Sequence, residues 1–247
     1  MDSREVLRVE HLQKHYKQQA ILEDVSFTLE VGTATALIGG NGTGKTTFIR
    51  ILAGLAYPEA GSLSLFGQTG EKGLQEARRQ TGFLVDSAPG DRYRNVERNL
   101  LLRAGLYGKP DRKYLRGLMK RLRLTEREIG TRRVGKLSLG QQGRCALASA
   151  LVNKPRFLVL DEPFIGMDAE SVALVSGLLN ELRQEGTTLL LSGHVAEQLR
   201  LVCSQTLLLE DGSVRGPVPM DEAEREGSSL PSLDESCGPV GNLPDQT

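Results

Sequence analysis

The 247-residue sequence predicts an α/β fold with a mainly parallel sheet, an antiparallel β subdomain at the N-terminus and an inserted helical subdomain. Short apolar runs at Ala34–Ile38, Phe157–Leu160 and Thr187–Ser192 alternate with longer stretches of helical periodicity, which is typical of parallel strands covered by helices. Near the N-terminus, Val6–Glu10 and Val25–Glu30 alternate between apolar and polar residues, as half-buried antiparallel strands do.

The remaining elements follow from periodicity and turn residues. The polar segment Gln13–Gln19 predicts a turn between the first two strands. Apolar residues recur at helical spacing over Phe48–Leu55, and Ala169–Gln184 has the pattern of a longer helix. Near the end of the predicted sheet, Leu207–Arg215 contains Asp211-Gly212 between two strand-like runs, which is a signal for a hairpin.

The composition is that of an ordinary folded domain in a reducing compartment. Hydrophobic residues make up 39% of the chain and charged residues 25%, and no apolar run approaches the roughly 20 residues needed to span a bilayer. Met1–Glu10 lacks the apolar core of a secretory signal. Three cysteines form no CxxC pair of the kind that holds zinc or carries redox chemistry. We therefore expect a cytosolic protein.

Charge is unevenly distributed, although 31 basic and 31 acidic residues cancel. Residues 91–136 carry 15 Lys or Arg against 5 Asp or Glu, and Asn95–Arg127 has the pattern of helices joined by a turn. We expect a helical subdomain over about residues 87–150. Its basic residues are typical of a solvated helix face. The alternative is a surface for nucleic acid or another anion, and the lack of interleaved aromatic residues disfavours single-strand binding.

The C-terminal residues have the composition of a disordered tail. From residue 216 onward, five of the chain's 10 prolines occur among serine, glycine and acidic residues. We expect one folded domain over residues 1–215, followed by an unstructured acidic tail over 216–247. A regulatory arm is the alternative for that tail.

A complete phosphate-binding motif follows the strand Ala34–Ile38. The spacing of Gly39, Gly44, Lys45 and Thr46 is that of the P-loop, in which backbone N–H groups surround phosphate oxygens, the lysine reaches the outer phosphates and the hydroxyl ligates Mg²⁺. The sequence therefore predicts a P-loop NTPase core. The predicted nucleotide-binding residues of this loop are Gly39, Gly40, Asn41, Gly42, Thr43, Gly44, Lys45, Thr46 and Thr47.

Two carboxylates come directly after the buried strand Phe157–Leu160. Asp161 lies where the carboxyl end of a parallel strand meets the ligand, so it is a candidate Mg²⁺ ligand. Glu162 is then placed to polarise an attacking water against the terminal phosphate. The alternative is a strand that ends in two surface acids.

A second candidate phosphate site lies at Ser138, before the predicted helix Arg144–Leu151. A serine hydroxyl, the flexible Gly140 and a helix N-terminus together can bind an anion. Ser138 can equally serve as the N-cap of the helix.

In this order and spacing the motifs resemble the ATP-binding cassette (ABC) ATPases. The resemblance covers about residues 5–215 and rests above all on Leu137-Ser138-Leu139-Gly140-Gln141, since most other P-loop enzymes lack this signature. It implies that Ser138, Gly140 and Gln141 bind nucleotide, that Asp168 belongs to a loop at the subunit contact and that Tyr16 stacks on adenine. It also implies that His194 hydrogen-bonds the terminal phosphate and so acts with Glu162 in catalysis.

Two positions depart from the family pattern. Leu139 replaces the glycine usual at the third signature position, and we expect function to be retained because Ser138 and Gly140 make the phosphate contacts. Asp86 stands where the family normally has a glutamine that ligates Mg²⁺. A carboxylate can still bind the metal, and an acidic residue here resembles the bacitracin and lantibiotic-resistance branch of ABC exporters, although glutamate is the usual form there.

The resemblance implies an ATPase subunit that binds ATP and Mg²⁺ between two chains and powers a separate membrane permease. The partners would be that permease and a second copy or a paralogous ATPase subunit, with no nucleic acid. The expected place is cytoplasmic, on the inner face of the cell membrane, and the expected cargo is a peptide or drug to be exported. The alternatives are a soluble ABC ATPase acting on ribosomes or DNA and a weakly hydrolysing regulatory ATP binder.

Overall fold

The computed structural model of the chain describes residues 4–17, 19–85, 90–125, 129 and 131–225. The strands are β1 (Glu5–Tyr16), β2 (Gln19–Glu30), β3 (Ala34–Ile38), β4 (Ala60–Leu65), β5 (Thr81–Leu84), β6 (Phe157–Leu160), β7 (Thr188–Gly193), β8 (Gln205–Glu210) and β9 (Ser213–Pro219). The helices are α1 (Lys45–Ala53), α2 (Gly70–Arg79), α3 (Val96–Gly105), α4 (Arg112–Arg121), α5 (Leu139–Ala150), α6 (Ala169–Gln184), α7 (Ala196–Arg200) and α8 (Met220–Arg225), with a 3₁₀ turn at Val134–Lys136.

The described strands form one sheet in the order β4-β1-β2-β9-β8-β3-β7-β6-β5. The end formed by β4, β1 and β2 is antiparallel, whereas β8, β3, β7, β6 and β5 run parallel to one another. Strand β9 closes the hairpin with β8 and meets β2 through a single pair of residues. The predicted α/β class, with a mainly parallel core and an N-terminal antiparallel region, is confirmed.

The parallel strands are buried on both faces, which is why their sequences are continuously apolar. Ala36 of β3 and Leu158 of β6 pack in a core with α5, α6 and the helices α3 and α4. Their neighbours Leu37 and Val159 point the other way, into a core shared with β1, β2 and α1. The pleat alternates side chains between the faces, so each strand contributes to both cores.

The helices α3, α4 and α5 lie in the predicted subdomain range and pack on one another. Asn95 and Asp111 start α3 and α4 because their side chains accept hydrogen bonds from the N–H groups of Arg98 and Tyr114, at 2.9 and 3.0 Å. The buried apolar side chains of α3, of α4 and of the residue after α4 are Val96, Leu100, Ala104, Leu115, Leu118, Met119 and Leu122.

Several predicted bounds are wrong, and each error has a physical cause. Strands β1 and β2 extend to Tyr16 and Gln19, through the polar residues that indicated a long turn, because their mutual hydrogen bonds continue that far. Helix α5 begins five residues earlier than its apolar pattern indicates, since a polar capping box starts it at Ser138. Helix α2 was not predicted because, of its residues, only Ala77 is buried.

The predicted start of a disordered tail at residue 216 is also wrong. Residues Ser213–Pro219 form β9, and Met220–Arg225 form α8, which is held by an ion pair between Arg200 and Asp221 at 2.8 Å. Proline and acidic residues made this segment resemble a disordered tail. Strand β9 tolerates Pro217 and Pro219 because it pairs with β2 only at Ser213 and its register with β8 is irregular. The tail beyond residue 225 lies outside the described residues. In the described part of the chain, no helix is both long and apolar enough to cross a bilayer.

We predict that Gly82→Ala destabilises the fold by about 1–3 kcal/mol through overpacking. A Cβ atom at Gly82 would lie 2.2 Å from the carbonyl oxygen of Ala150 and 2.9 Å from Leu158 Cδ1, so β5 and α5 would have to separate. The control is Gly177→Ala on α6, where no atom lies within 4 Å. It should stabilise the helix by roughly 0.5–1 kcal/mol. Urea unfolding measures both values, and equal effects would contradict the packing argument.

Candidate functional site

The candidate site lies where three neighbouring parallel strands end. Strand β7 pairs with β3 on one side and with β6 on the other, and Gly193 of β7 lies beside Ile38 of β3. The P-loop follows β3, His194 follows β7 and Asp161 follows β6, so the sheet brings these separate segments to one edge. This is the edge at which open α/β sheets bind their ligands.

The P-loop has a conformation that only glycine adopts readily at its tightest points. Gly44 has φ of 106°, in the left-handed region, and it is packed against Ile21 and Leu22 of β2. At Gly39, a Cβ atom would stand 2.4 Å from the carbonyl oxygen of Leu209. Backbone N–H groups can therefore turn toward a phosphate without side chains in the way.

Lys45 is held inside the loop. Its ammonium nitrogen donates hydrogen bonds to the carbonyl oxygens of Gly39 and Gly40, at 2.7 and 2.8 Å. Burial lowers the pKa of Lys45, while the nearby Glu162 and Asp161 carboxylates partly oppose that change. The loop thus keeps a cation in place between a carbonyl cradle and two carboxylates.

Ser192 joins the two carboxylate residues at the end of β6. Its hydroxyl donates to Oδ1 of Asp161 at 2.5 Å and accepts from the N–H of Glu162 at 3.0 Å. Asp161 is itself buried, and its N–H donates to the carbonyl oxygen of Leu84 at 2.8 Å. One buried hydroxyl therefore fixes both the Asp161 side chain and the Glu162 backbone.

Glu162 is strained and lies beside His194. Its φ is +46°, which for a residue with a side chain costs about 1–3 kcal/mol and is typical of functional sites. Oε1 of Glu162 lies 3.6 Å from Nδ1 of His194, and both side chains are partly exposed. The arrangement presents a carboxylate and an imidazole to solvent at the same edge as Lys45.

Ser138 forms a capping box at the start of α5. Its hydroxyl accepts from the N–H of Gln141 at 3.2 Å, and its own N–H donates to Oε1 of Gln141 at 3.0 Å. Ser138 is therefore the N-cap of α5, which is the structural role that the sequence allowed. The hydroxyl is still exposed and retains a proton to donate.

The start of α5 packs on the loop that leads from Glu162 to Asp168. A Cβ atom at Gly140 would lie 3.4 Å from the carbonyl oxygen of Gly166, and one at Gly166 would lie 3.1 Å from Cβ of Leu139. Asp168 caps α6 by accepting from the N–H of Ser171 at 2.8 Å, and this bond lowers the pKa of Asp168. The signature segment and this loop thus form one packed surface.

The remaining candidate residues fall in three places. Thr46 and Thr47 lie in the first turn of α1, and Thr43 closes the loop by donating to the carbonyl oxygen of Gly40 at 3.0 Å. Tyr16 is half-exposed at the end of β1, in the hairpin whose second strand packs on Gly44. Asp86 lies outside the described residues.

Sequence reasoning missed Ser192. The polar residue at the end of the apolar run Leu189–Leu191 was a signal, because a hydroxyl in a fully buried strand needs a partner. Its partners became visible only when β6 and β7 were paired.

Comparison with known proteins decides the family. A family model described as "ABC transporter" matches residues 22–165 of the chain. The chain is also 31% identical to the Nod factor export ATP-binding protein I of Ralstonia nicotianae, over 95% of this chain and 77% of that protein. The chain belongs to the ABC transporter family.

Solved structures agree with the ABC fold. The structure titled as the ATP binding subunit of an ABC transporter superposes with a TM-score of 0.80 at 28% identity, over 92% of this chain and 95% of that one. A dimeric ATP-binding cassette bound to ADP and Pi superposes with a TM-score of 0.77 at 23% identity, covering 87% and 98% of the two chains, and supports the fold alone. The predicted ABC ATPase identity, and with it ATP binding and hydrolysis, is confirmed.

We predict that Ser192→Ala lowers the free energy of unfolding by about 1–3 kcal/mol, because the Glu162 N–H and the Asp161 carboxylate lose a buried partner. ATP hydrolysis at temperatures well below unfolding should fall as well. The matched control is Ser176→Ala on α6, whose buried hydroxyl has no hydrogen-bond partner among the described residues. That variant should be neutral or slightly more stable. Equal losses of stability and activity in both variants would show that the Ser192 hydrogen bonds are not the cause of the effect.

Proposed function

We propose that the chain binds Mg²⁺·ATP at a seam between two copies and hydrolyses it to drive export through a separate membrane permease. The observation that carries this proposal is the convergence of Lys45, Asp161, Glu162 and His194 at one sheet edge. Ser138, the other phosphate-binding candidate, stands on an exposed helix start.

Nucleotide binding starts from the P-loop. The Lys45 ammonium would exchange its bonds to Gly39 and Gly40 for phosphate oxygens, a change that favours the charged form of the lysine. The N-terminus of α1 adds partial positive charge to the same place. Tyr16 is half-exposed at the end of the hairpin that packs on the loop, where its ring can stack on the base.

The donor set also fits a magnesium ion. Buried Asp161, held by the Ser192 hydroxyl, and the Thr46 hydroxyl are oxygen donors of the kind that Mg²⁺ prefers, and Asp86 is a third by the family resemblance. When bound, the ion would neutralise charge on the phosphate oxygens while the terminal phosphoryl group is transferred.

Hydrolysis requires a base and a group that contacts the terminal phosphate. A water oxygen attacks the γ-phosphorus, the bond to the β–γ bridging oxygen breaks, and ADP leaves with the electron pair. The Glu162 carboxylate accepts the proton of the water, and His194, 3.6 Å from Glu162, hydrogen-bonds the transferred phosphate. The strained backbone at Glu162 fixes that carboxylate before substrate binds.

A second copy would complete the site. Leu139 is 71% and Ile165 57% exposed, on the packed surface formed by the signature segment and the loop to Asp168. Large exposed apolar side chains beside an incomplete phosphate site favour a partner surface. ATP would then be enclosed between Lys45 of one copy and Ser138 of the other.

A permease surface is favoured at the cleft between the core and α3. This cavity of 660 Å³ is lined by apolar side chains, by Arg78, Arg94 and Arg103, and by Asp91, which pairs with Arg94 at 2.7 Å and leaves a net basic lining. Such lining fits an apolar segment that carries acidic residues. The relatives named for Nod factor export support export as the direction and a cytoplasmic, membrane-docked place for this subunit. The finer assignment of a peptide or drug cargo stays a prediction from the resemblance.

We predict that Glu162→Gln abolishes turnover without abolishing binding. The amide cannot accept the proton of the water, so hydrolysis should fall by about 10²–10⁴-fold, while ATP binding persists and drives the chain into a stable dimer. ATP hydrolysis and size-exclusion chromatography with ATP measure the two properties. The control is Lys45→Ala, which should lose both binding and dimerisation. A Glu162→Gln chain that hydrolyses normally, or stays monomeric with ATP bound, would refute the mechanism.

We also predict that Arg103→Glu weakens assembly with the proposed membrane permease. The substitution reverses a charge in the cleft, so co-purification from detergent extracts should decrease while ATP binding by the isolated chain is unchanged. Arg79→Glu on α2, which reverses an exposed charge outside this cleft, is the control. Co-purification with ribosomes or DNA that persists at high salt would favour the soluble alternative.

A further inference from the structure

The helical subdomain carries an exposed surface that the ATP site does not use and that meets the proposed permease cleft only at Leu102. Arg98, Leu102 and Leu106 are spaced four residues apart, so they stack along the outer side of α3 and its C-terminal end. All three are exposed, and Leu106 is 69% accessible. On α4, Arg112 and Arg116 have the same spacing and are also exposed. We call these five residues the α3–α4 patch.

The two helices present their charges to a common hollow. Arg98 and Arg112 line the same surface hollow of 440 Å³, together with Leu101 and Leu102. Two guanidinium groups beside exposed leucines are suited to a phosphate that carries apolar chains. Glu97 also lines the hollow and is its one acidic group among the described residues.

The positive charge of this surface is not cancelled locally. Three acidic residues occur among described residues 90–125, and two of them already have partners. Asp91 pairs with Arg94 at 2.7 Å, and Asp111 pairs with Lys154 at 3.0 Å. Glu97 therefore remains opposite a large excess of basic side chains. Counting only partners among the described residues, the basic side chains of α3, α4 and their connection that form no ion pair are Arg98, Arg103, Lys109, Arg112, Lys113, Arg116 and Lys120.

We infer that the α3–α4 patch binds the surface of an anionic phospholipid leaflet. Apolar side chains at the membrane boundary and basic side chains at the headgroups are the two contributions that hold amphipathic helices on such surfaces. Single-stranded nucleic acid is disfavoured because leucines, not aromatic rings, lie among the arginines. The surface borders the proposed permease cleft at Leu102, so both could face the membrane together.

Vesicle sedimentation tests this inference on the full chain without nucleotide. The chain should sediment with vesicles of phosphatidylglycerol and phosphatidylcholine at low salt, and should be released by high salt or by replacing them with pure phosphatidylcholine vesicles. The vesicles contain no protein, so the result is independent of ATP hydrolysis and of the permease. Absence of binding, or equal binding to both vesicle types, would overturn the inference.

Matched variants assign the binding to this surface. Arg98→Glu with Arg112→Glu should reduce vesicle binding by about tenfold or more, whereas Lys72→Glu with Arg79→Glu on α2 makes the same charge change elsewhere and should have a much smaller effect. Unaltered vesicle binding by the first double variant, or an equal loss of binding in both, would exclude the α3–α4 patch as the vesicle-binding surface. Thermal unfolding shows whether each variant is folded.

A second pair tests the apolar contribution without changing charge. Leu106→Gln should weaken binding several-fold, and Leu201→Gln should not, although both leucines are exposed residues that follow the last turn of a helix. Equal behaviour of the two variants would refute a leaflet contact at Leu106. Sedimentation of the chain without vesicles would indicate that a second copy, not a leaflet, binds this surface. A preference for a DNA duplex over anionic vesicles would indicate that nucleic acid binds it.

Discussion

Parallel pairing of β3, β7 and β6 is the constraint on which the site depends. Because these strands are hydrogen-bonded side by side, the three segments that follow them reach the same edge of the sheet. Continuous burial of the strands on both faces keeps the register fixed. Lys45, His194 and the Asp161-Glu162 pair owe their proximity to that register and not to any contact along the chain.

The local geometry of the site is held by a few buried polar contacts. Two carbonyl oxygens hold the Lys45 ammonium, and the Ser192 hydroxyl serves both carboxylate residues. Since buried polar groups lose free energy when a partner is removed, these contacts restrict the side chains to one arrangement before nucleotide binds. The same network leaves Glu162 and His194 partly exposed, where a water and a phosphate can reach them.

In the proposed assembly, different surfaces around the site contact different partners. The signature segment and the loop to Asp168 form one apolar, exposed surface, which suits a second ATPase chain. The permease cleft combines apolar and basic lining, and the α3–α4 patch beside it is basic with exposed leucines. The uneven charge of the chain therefore has a physical location, because much of its basic excess lies on α3, which lines the cleft, and on α4, which packs on α3.

Local sequence determined the elements with strong patterns. The P-loop, the apolar runs that became β3 and β6, and the long helix α6 have the predicted bounds, because their signals come from neighbouring residues. The weak patterns were misread: α2 buries too little, and β9 contains prolines that it tolerates because it pairs with β2 only at Ser213.

By itself the sequence also determined the residue types of the site, since P-loop chemistry needs Gly39, Gly44, Lys45 and Thr46 at fixed spacing. Only the tertiary structure decided which distant groups meet: Ser192 with Asp161, Leu139 with Gly166, and Arg98 with Arg112. These pairs are separated along the chain, and their contacts depend on strand order and helix packing. No local pattern of residues encodes the strand order or the helix packing.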